Sequence, residues 1–74
     1  MDEVTIWSQE DCMMCEAAKT FFESKGYTVD ERPISKLMTG EAKHMDAMVA
    51  LAMQNNVLPL VRVNGVFKKP GEYE

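Results

Sequence analysis

Two cysteines, three positions apart, sit where an apolar strand-like run gives way to a helix-like one. They are the only cysteines in the chain, Cys12 and Cys15 of Cys12-Met13-Met14-Cys15. Val4-Thr5-Ile6-Trp7 lies ahead of them and the run from Glu16 to Lys25 follows. A helix that begins near Cys12 puts both thiols within one turn, close enough to bridge. The first thiol then faces the free N–H groups and positive end of the helix, which favours its thiolate. The second is held further inside the first turn. Such a pair passes between dithiol and disulfide without unfolding the chain, which is the chemistry of thiol–disulfide exchange. A structural staple is a poor account of it, because so short a loop gains little from closure.

The rest of the composition narrows the setting. At 74 residues, the sequence is expected to make one small domain, 1–74, with a thin core. A net charge of −4 argues against nucleic acid as a partner, since phosphate binding needs a basic face. No stretch approaches the roughly 18 apolar residues of a membrane span, so no membrane partner is expected. No basic segment followed by an apolar one opens the chain, so no secretory signal is expected. A lone CxxC in that setting reads as cytoplasmic redox or metal chemistry.

Val4 to Trp7 is apolar enough on both faces for an interior strand, and β-branched Thr5 fits it. Ser8 to Asp11 is a polar loop. Asp11 is suited to cap the helix, making Cys12 its first residue. That helix is predicted to run to about Lys25, with Cys15, Ala18, Phe21 and Phe22 as its core stripe and Gly26 as a left-handed stop. Tyr27 to Arg32 reads as a second strand, ended by Pro33, which completes a βαβ unit with parallel strands. Ile34 to Met38 is a connection. Thr39 is the next cap candidate, with Glu41 near the positive end of a helix that closes at Asn55-Asn56. Met45, Met48, Val49 and Ala52 are its expected core stripe, the methionines filling gaps rather than gathering copper. Val57-Leu58-Pro59 leads into a strand from Leu60 to Val63. Asn64-Gly65 is a two-residue hairpin signal, Val66-Phe67 starts the return strand, and Lys68-Lys69-Pro70-Gly71 breaks it. The fold class is α/β, in the order β-α-β-α-β-β, with two parallel strands, an antiparallel hairpin and helices packed on the sheet.

This order, with Cys12-Met13-Met14-Cys15 at the strand-to-helix junction, Val57-Leu58-Pro59 before the third strand and Val61-Arg62-Val63-Asn64-Gly65 in the hairpin, resembles the thioredoxin fold in its small glutaredoxin form. The resemblance runs from about Val4 to Phe67. Asp11 to Lys19, with Gly26 closing the helix, looks especially like the glutaredoxin-like NrdH-redoxins, which carry electrons to ribonucleotide reductase. The resemblance implies a minimal thioredoxin fold with a four-stranded mixed sheet. It implies Cys12 as the nucleophile that forms a mixed disulfide with the target, and Cys15 as the resolving thiol. It implies Pro59 as a cis-proline facing the sulfurs, with the main chain of Leu58 free to pair with an extended substrate segment. No bound cofactor is implied. Electrons would come from glutathione or thioredoxin reductase, with NADPH behind either, and would go to protein disulfides, ribonucleotide reductase among them.

The chain also departs from the family pattern. A basic residue that contacts the glutathione carboxylate often precedes the first cysteine, where this chain has Gln9-Glu10-Asp11. Those carboxylates oppose the Cys12 thiolate that the helix terminus favours. The family's Gly-Gly after the fourth strand aligns with Lys69-Pro70 or Pro70-Gly71, and the acidic pair beyond it with Glu72 and Glu74. The final family helix is expected to be missing, because the sequence runs to Glu74. One sheet face is then thinly covered, which implies marginal stability or a covering surface such as a second copy. Arg62, Lys68 and Lys69 are candidates for a substitute positive charge, though each also reads as a solvated surface residue. Met13 and Met14 replace the usual Pro-aromatic pair and put bulky thioethers at the substrate-binding rim. Trp7 reads as core, Tyr73 as tail and Lys19 as a surface lysine.

Two rival classes remain. CxxC at a strand-to-helix junction also occurs in copper chaperones, and soft thiolates take Cu(I), zinc or an iron–sulfur cluster. Copper-chaperone domains usually carry methionine two positions before the first cysteine, where Glu10 stands here, and lack the Leu-Pro step. A closed zinc site needs four ligands, and His44 is the only histidine, so no metal ligands are assigned. The second rival is a redox-fold adaptor without chemistry, which the presence of both cysteines disfavours.

Overall fold

β1 (Glu3–Ser8) is the middle of the molecule. It pairs in parallel with β2 (Thr28–Pro33) and antiparallel with β3 (Leu60–Val63). β3 turns back into β4 (Val66–Lys68), so the sheet runs β2-β1-β3-β4. The computed structural model describes residues 2–39, 44–69 and 72. The sheet carries two helices, α1 (Met13–Ser24) and α2 (Met45–Met53), and a six-residue 3-10 helix, Ile34–Thr39, where a plain connection was expected. This is the expected minimal thioredoxin-like α/β architecture with a four-stranded mixed sheet.

A central strand has no solvent face, and residues 4–7 of β1 are all buried accordingly. Alternation sends them to two cores. Val4 and Ile6, with Val61 of β3, pack against Ala18 and Phe22 of α1. Trp7 and its partner Leu60 pack on the other side against Leu37, Ala47 and Leu51. The helices therefore cover opposite faces, and β1 is shared by both cores.

The stripe expected on α1 is the one that is buried: Cys15, Ala18 and Phe22 are covered and Phe21 is half-buried. Phe22 meets Phe21 and Tyr27 edge to face at 5.2 and 5.1 Å. Gly26, at φ 85°, closes the helix, and the Tyr27 N–H reaches back to the Phe22 carbonyl at 3.1 Å. Asn64 and Gly65 take positive φ, 49° and 85°, as the hairpin requires. Asn64 also ties the turn to β1, its Oδ1 accepting from the Glu3 N–H at 2.9 Å.

The second helix corrects two expectations. It begins at Met45 with His44 at the cap position, not just after Thr39. Its buried residues are Ala47 and Leu51, whereas Met45, Met48, Val49 and Ala52 all face outward, Met45 being 57% exposed. Two asparagines at positive φ, Asn55 and Asn56, end it where expected, the Asn56 N–H returning to the Leu51 carbonyl at 2.9 Å. Glu41, Pro70, Gly71, Tyr73 and Glu74 lie outside the described residues.

Candidate active site

The loop after β1 delivers Cys12 to the start of α1, and the capping residue is Cys12 itself, not Asp11. Asp11 has a left-handed backbone, φ 57°, while Cys12 has the extended backbone of a cap, φ −98° and ψ 99°. The Cys12 Sγ accepts a hydrogen bond from the Cys15 N–H at 3.1 Å, as a capping hydroxyl would. A sulfur in that position gains from negative charge, because it faces a free N–H and the positive helix end. The two sulfurs are joined, with the Cα atoms 5.2 Å apart, so the structure shows the oxidised pair. The two cysteines are not equivalent. Cys12 is half-buried and borders a surface groove, while Cys15 is 1% exposed.

The second part of the site leaves the neighbouring strand at the same end of the sheet. Leu60 pairs with Trp7, so the Val57-Leu58-Pro59 segment runs beside the loop that starts at Ser8. The Leu58–Pro59 bond is cis, as the resemblance implied. Pro59 is buried, and the Leu58 side chain packs against the Trp7 core. Gln54, at the end of α2 and 8% exposed, holds this segment. Its Nε2 donates to the Pro59 carbonyl at 3.1 Å and to the Val57 carbonyl. Sequence reasoning missed Gln54; a glutamine four residues before a Leu-Pro step carries no pattern of its own. Gln54→Leu keeps the volume but strips both carbonyls of their donor. Such an unmet pair costs about 1–3 kcal/mol. The variant is expected to show that loss as a lowered urea midpoint at unchanged slope. An unchanged midpoint would release Gln54 from the role.

The groove beside Cys12 has a volume of about 750 Å³ and runs between the start of α1 and the end of β2. Glu10, Asp11, Glu16 and Glu31 all line it, together with Met13. Glu16 and Glu31 were not singled out from the sequence, although Glu16 lies one helical turn beyond Cys12. None of Arg62, Lys68 and Lys69 lines this groove. The Arg62 guanidinium lies over the rings of Trp7 and Phe67, at 5.2 and 5.7 Å. Lys68 borders a separate hollow with Phe21, Lys25 and Tyr27. Arg32 is held by Asp30 at 2.8 Å. Met13 and Met14 stand out from the rim, 87% and 60% exposed. Trp7 is core, as expected, and Lys19 pairs with Glu31 at 3.8 Å.

A family model, Glutaredoxin, matches residues 4–68. The chain belongs to the glutaredoxin family. No curated protein and no solved structure gives a significant match. Family membership and the Cys12–Cys15 pair together give this glutaredoxin a redox-active disulfide and the general chemistry of a thiol–disulfide oxidoreductase. Among the described residues, no group of three or more His, Cys, Asp and Glu is placed to hold a metal ion, and no helix is long and apolar enough to cross a membrane.

Proposed function

We propose that this glutaredoxin, acting as a single domain in the cytoplasm, reduces protein disulfides with Cys12 as nucleophile and Cys15 as resolving thiol. The observation that carries the reading is the unequal exposure of the pair: the groove reaches Cys12, and Cys15 is covered. The Cys12 thiolate attacks one sulfur of a target disulfide. The target's S–S bond breaks, a mixed disulfide forms, and the first target thiolate leaves with a proton from solvent. The Cys15 thiolate then attacks the Cys12 sulfur. The second target thiolate leaves, and the two electrons of the dithiol have passed to the target. The main chain of Leu58 and the buried Pro59 form the platform on which the extended target segment lies, and Met13 and Met14 give it apolar contact.

The oxidised pair is returned to the dithiol by glutathione or by thioredoxin reductase, with NADPH as the source. Of the two, thioredoxin reductase is the better fit, because among the described residues no lysine or arginine lines the groove to hold a glutathione carboxylate. Ribonucleotide reductase is the target that the NrdH-redoxin resemblance favours. The test is NADPH consumption during reduction of a protein disulfide, with glutathione and glutathione reductase in one assay and thioredoxin reductase alone in the other. Turnover is expected with thioredoxin reductase. Turnover only with glutathione overturns the choice of reductant, and turnover with neither overturns the catalytic reading.

A further inference from the structure

The groove that opens onto the attacking sulfur carries four carboxylates, Glu10, Asp11, Glu16 and Glu31. Among the described residues one ammonium is paired with them, that of Lys19, 3.8 Å from Glu31 and itself about a third exposed. We propose that these four carboxylates select the substrate: a disulfide flanked by lysine or arginine in a basic segment of the partner protein, in preference to an anionic disulfide. The inference rests on the dithiol reading above and names the substrate class of the same site.

Three physical effects point the same way. A concave surface lined with one sign of charge focuses its field and raises the encounter rate of the opposite sign, by roughly 10-fold to 1,000-fold. At physiological salt, charges within about 8 Å act without heavy screening, and these line the cavity that Cys12 itself lines. The exchange step also places new negative charge on the departing target sulfur. Carboxylates around it raise the energy of that thiolate, and the cation beside the groove, Lys19, is already paired with Glu31. A lysine or arginine beside the target cysteine supplies the missing charge, lowers the leaving thiol's pKa and speeds its departure. Glutathione disulfide brings the opposite, two carboxylates against one ammonium on each half.

The test uses the full chain, reduced with dithiothreitol and desalted, and three synthetic peptides with the same intramolecular disulfide flanked by lysine, serine or glutamate. The second-order rate of disulfide reduction is read for each. The lysine peptide is expected to react at least about 10-fold faster than the glutamate peptide at low salt. The ratio is expected to fall towards one at about 1 M salt, where the screening length drops to ~3 Å. In the variant carrying Glu10→Gln, Asp11→Asn, Glu16→Gln and Glu31→Gln, the ratio at low salt is expected to fall at least about 5-fold. A ratio is used because neutralising the carboxylates also changes Cys12 reactivity, which cancels between peptides. Equal rates for the lysine and glutamate peptides, with the serine peptide reduced normally, overturn the inference and leave the dithiol reading intact. A preference undiminished by high salt and by the four substitutions overturns the assignment to these carboxylates. Failure to reduce even the serine peptide overturns the dithiol reading and this inference with it.

Discussion

Cys12→Ser is expected to abolish disulfide reduction in a fully folded protein, and Cys15→Ala to halt the reaction half-way. The two outcomes differ because the structure gives the cysteines different places. Cys12 caps α1 with its sulfur and borders the groove. Serine is among the best residues for that cap, so its hydroxyl keeps the bond from the Cys15 N–H and the helix stays in place. What is lost is the nucleophile, since a serine hydroxyl stays protonated at neutral pH and cannot form a mixed disulfide. Far-ultraviolet circular dichroism is expected to match the parent while turnover falls to the uncatalysed background. Cys15 is 1% exposed, so alanine replaces it in the core without stranding a polar group. The Cys12 thiolate is then free to attack but nothing releases the product. Mass spectrometry is expected to show one target chain bound per Cys15→Ala molecule. The reverse pattern, with Cys15→Ala inactive and Cys12→Ser trapping the target, would exchange the two roles.

How much of this was legible in the sequence follows from how much contrast each segment carries. In α1 the apolar residues Cys15, Ala18, Phe21 and Phe22 stand against Glu16, Lys19, Thr20 and Glu23, so a 3.6-residue period picks out one face, and that face is buried. In α2, Asp46 is the only polar residue from Met45 to Met53. A segment apolar all round has no preferred face, so the period cannot choose between the Met45-Met48-Val49-Ala52 stripe and the one that is buried. Packing chose Ala47 and Leu51, and the small Ala47 side chain lets the helix approach the Trp7 core closely. β1 was clear for the opposite reason, because four consecutive buried residues leave only an interior position.

The site divides in the same manner. The cysteines and the hairpin are local signals, readable from spacing and residue type, whereas the cis state of Pro59 was implied by the family resemblance. The cap was misread because Asp11 and Cys12 are both able to cap, and the backbone at Asp11, φ 57°, decides against it. The groove was out of reach, since Glu31 joins Glu10, Asp11 and Glu16 only through the parallel pairing of β2 with β1, which sets Glu31 opposite Ile6. Gln54 is a similar case, its role existing only once α2 has folded back beside the Pro59 segment.

Trp7→Ala is expected to unfold the protein, and Trp7→Phe to leave it folded but weaker. Trp7 is 1% exposed at the end of the central strand and belongs to the core made with Leu37, Ala47, Leu51 and Leu60. Its indole also stacks on Phe67 at 5.9 Å, with Arg62 over both rings. Truncating a buried tryptophan costs about 3–5 kcal/mol, and in chains of this size the core rarely supplies more than that in total. The alanine variant is therefore expected to lose its far-ultraviolet signal at room temperature without denaturant. Phenylalanine retains an aromatic ring to meet Phe67. It also removes the indole N–H, which is buried without a hydrogen-bond partner among the described residues, so part of the packing loss is offset. A cooperative urea transition at a lower midpoint is the expected outcome for that variant. Because Trp7 is the chain's only tryptophan, its fluorescence in the parent protein reports this core directly, shifting to the red as the same transition proceeds. An alanine variant destabilised by less than about 1 kcal/mol would remove Trp7 from the centre of the fold. The platform would be affected first, because Leu58 packs on this core and Leu60, the residue after Pro59, is the strand partner of Trp7.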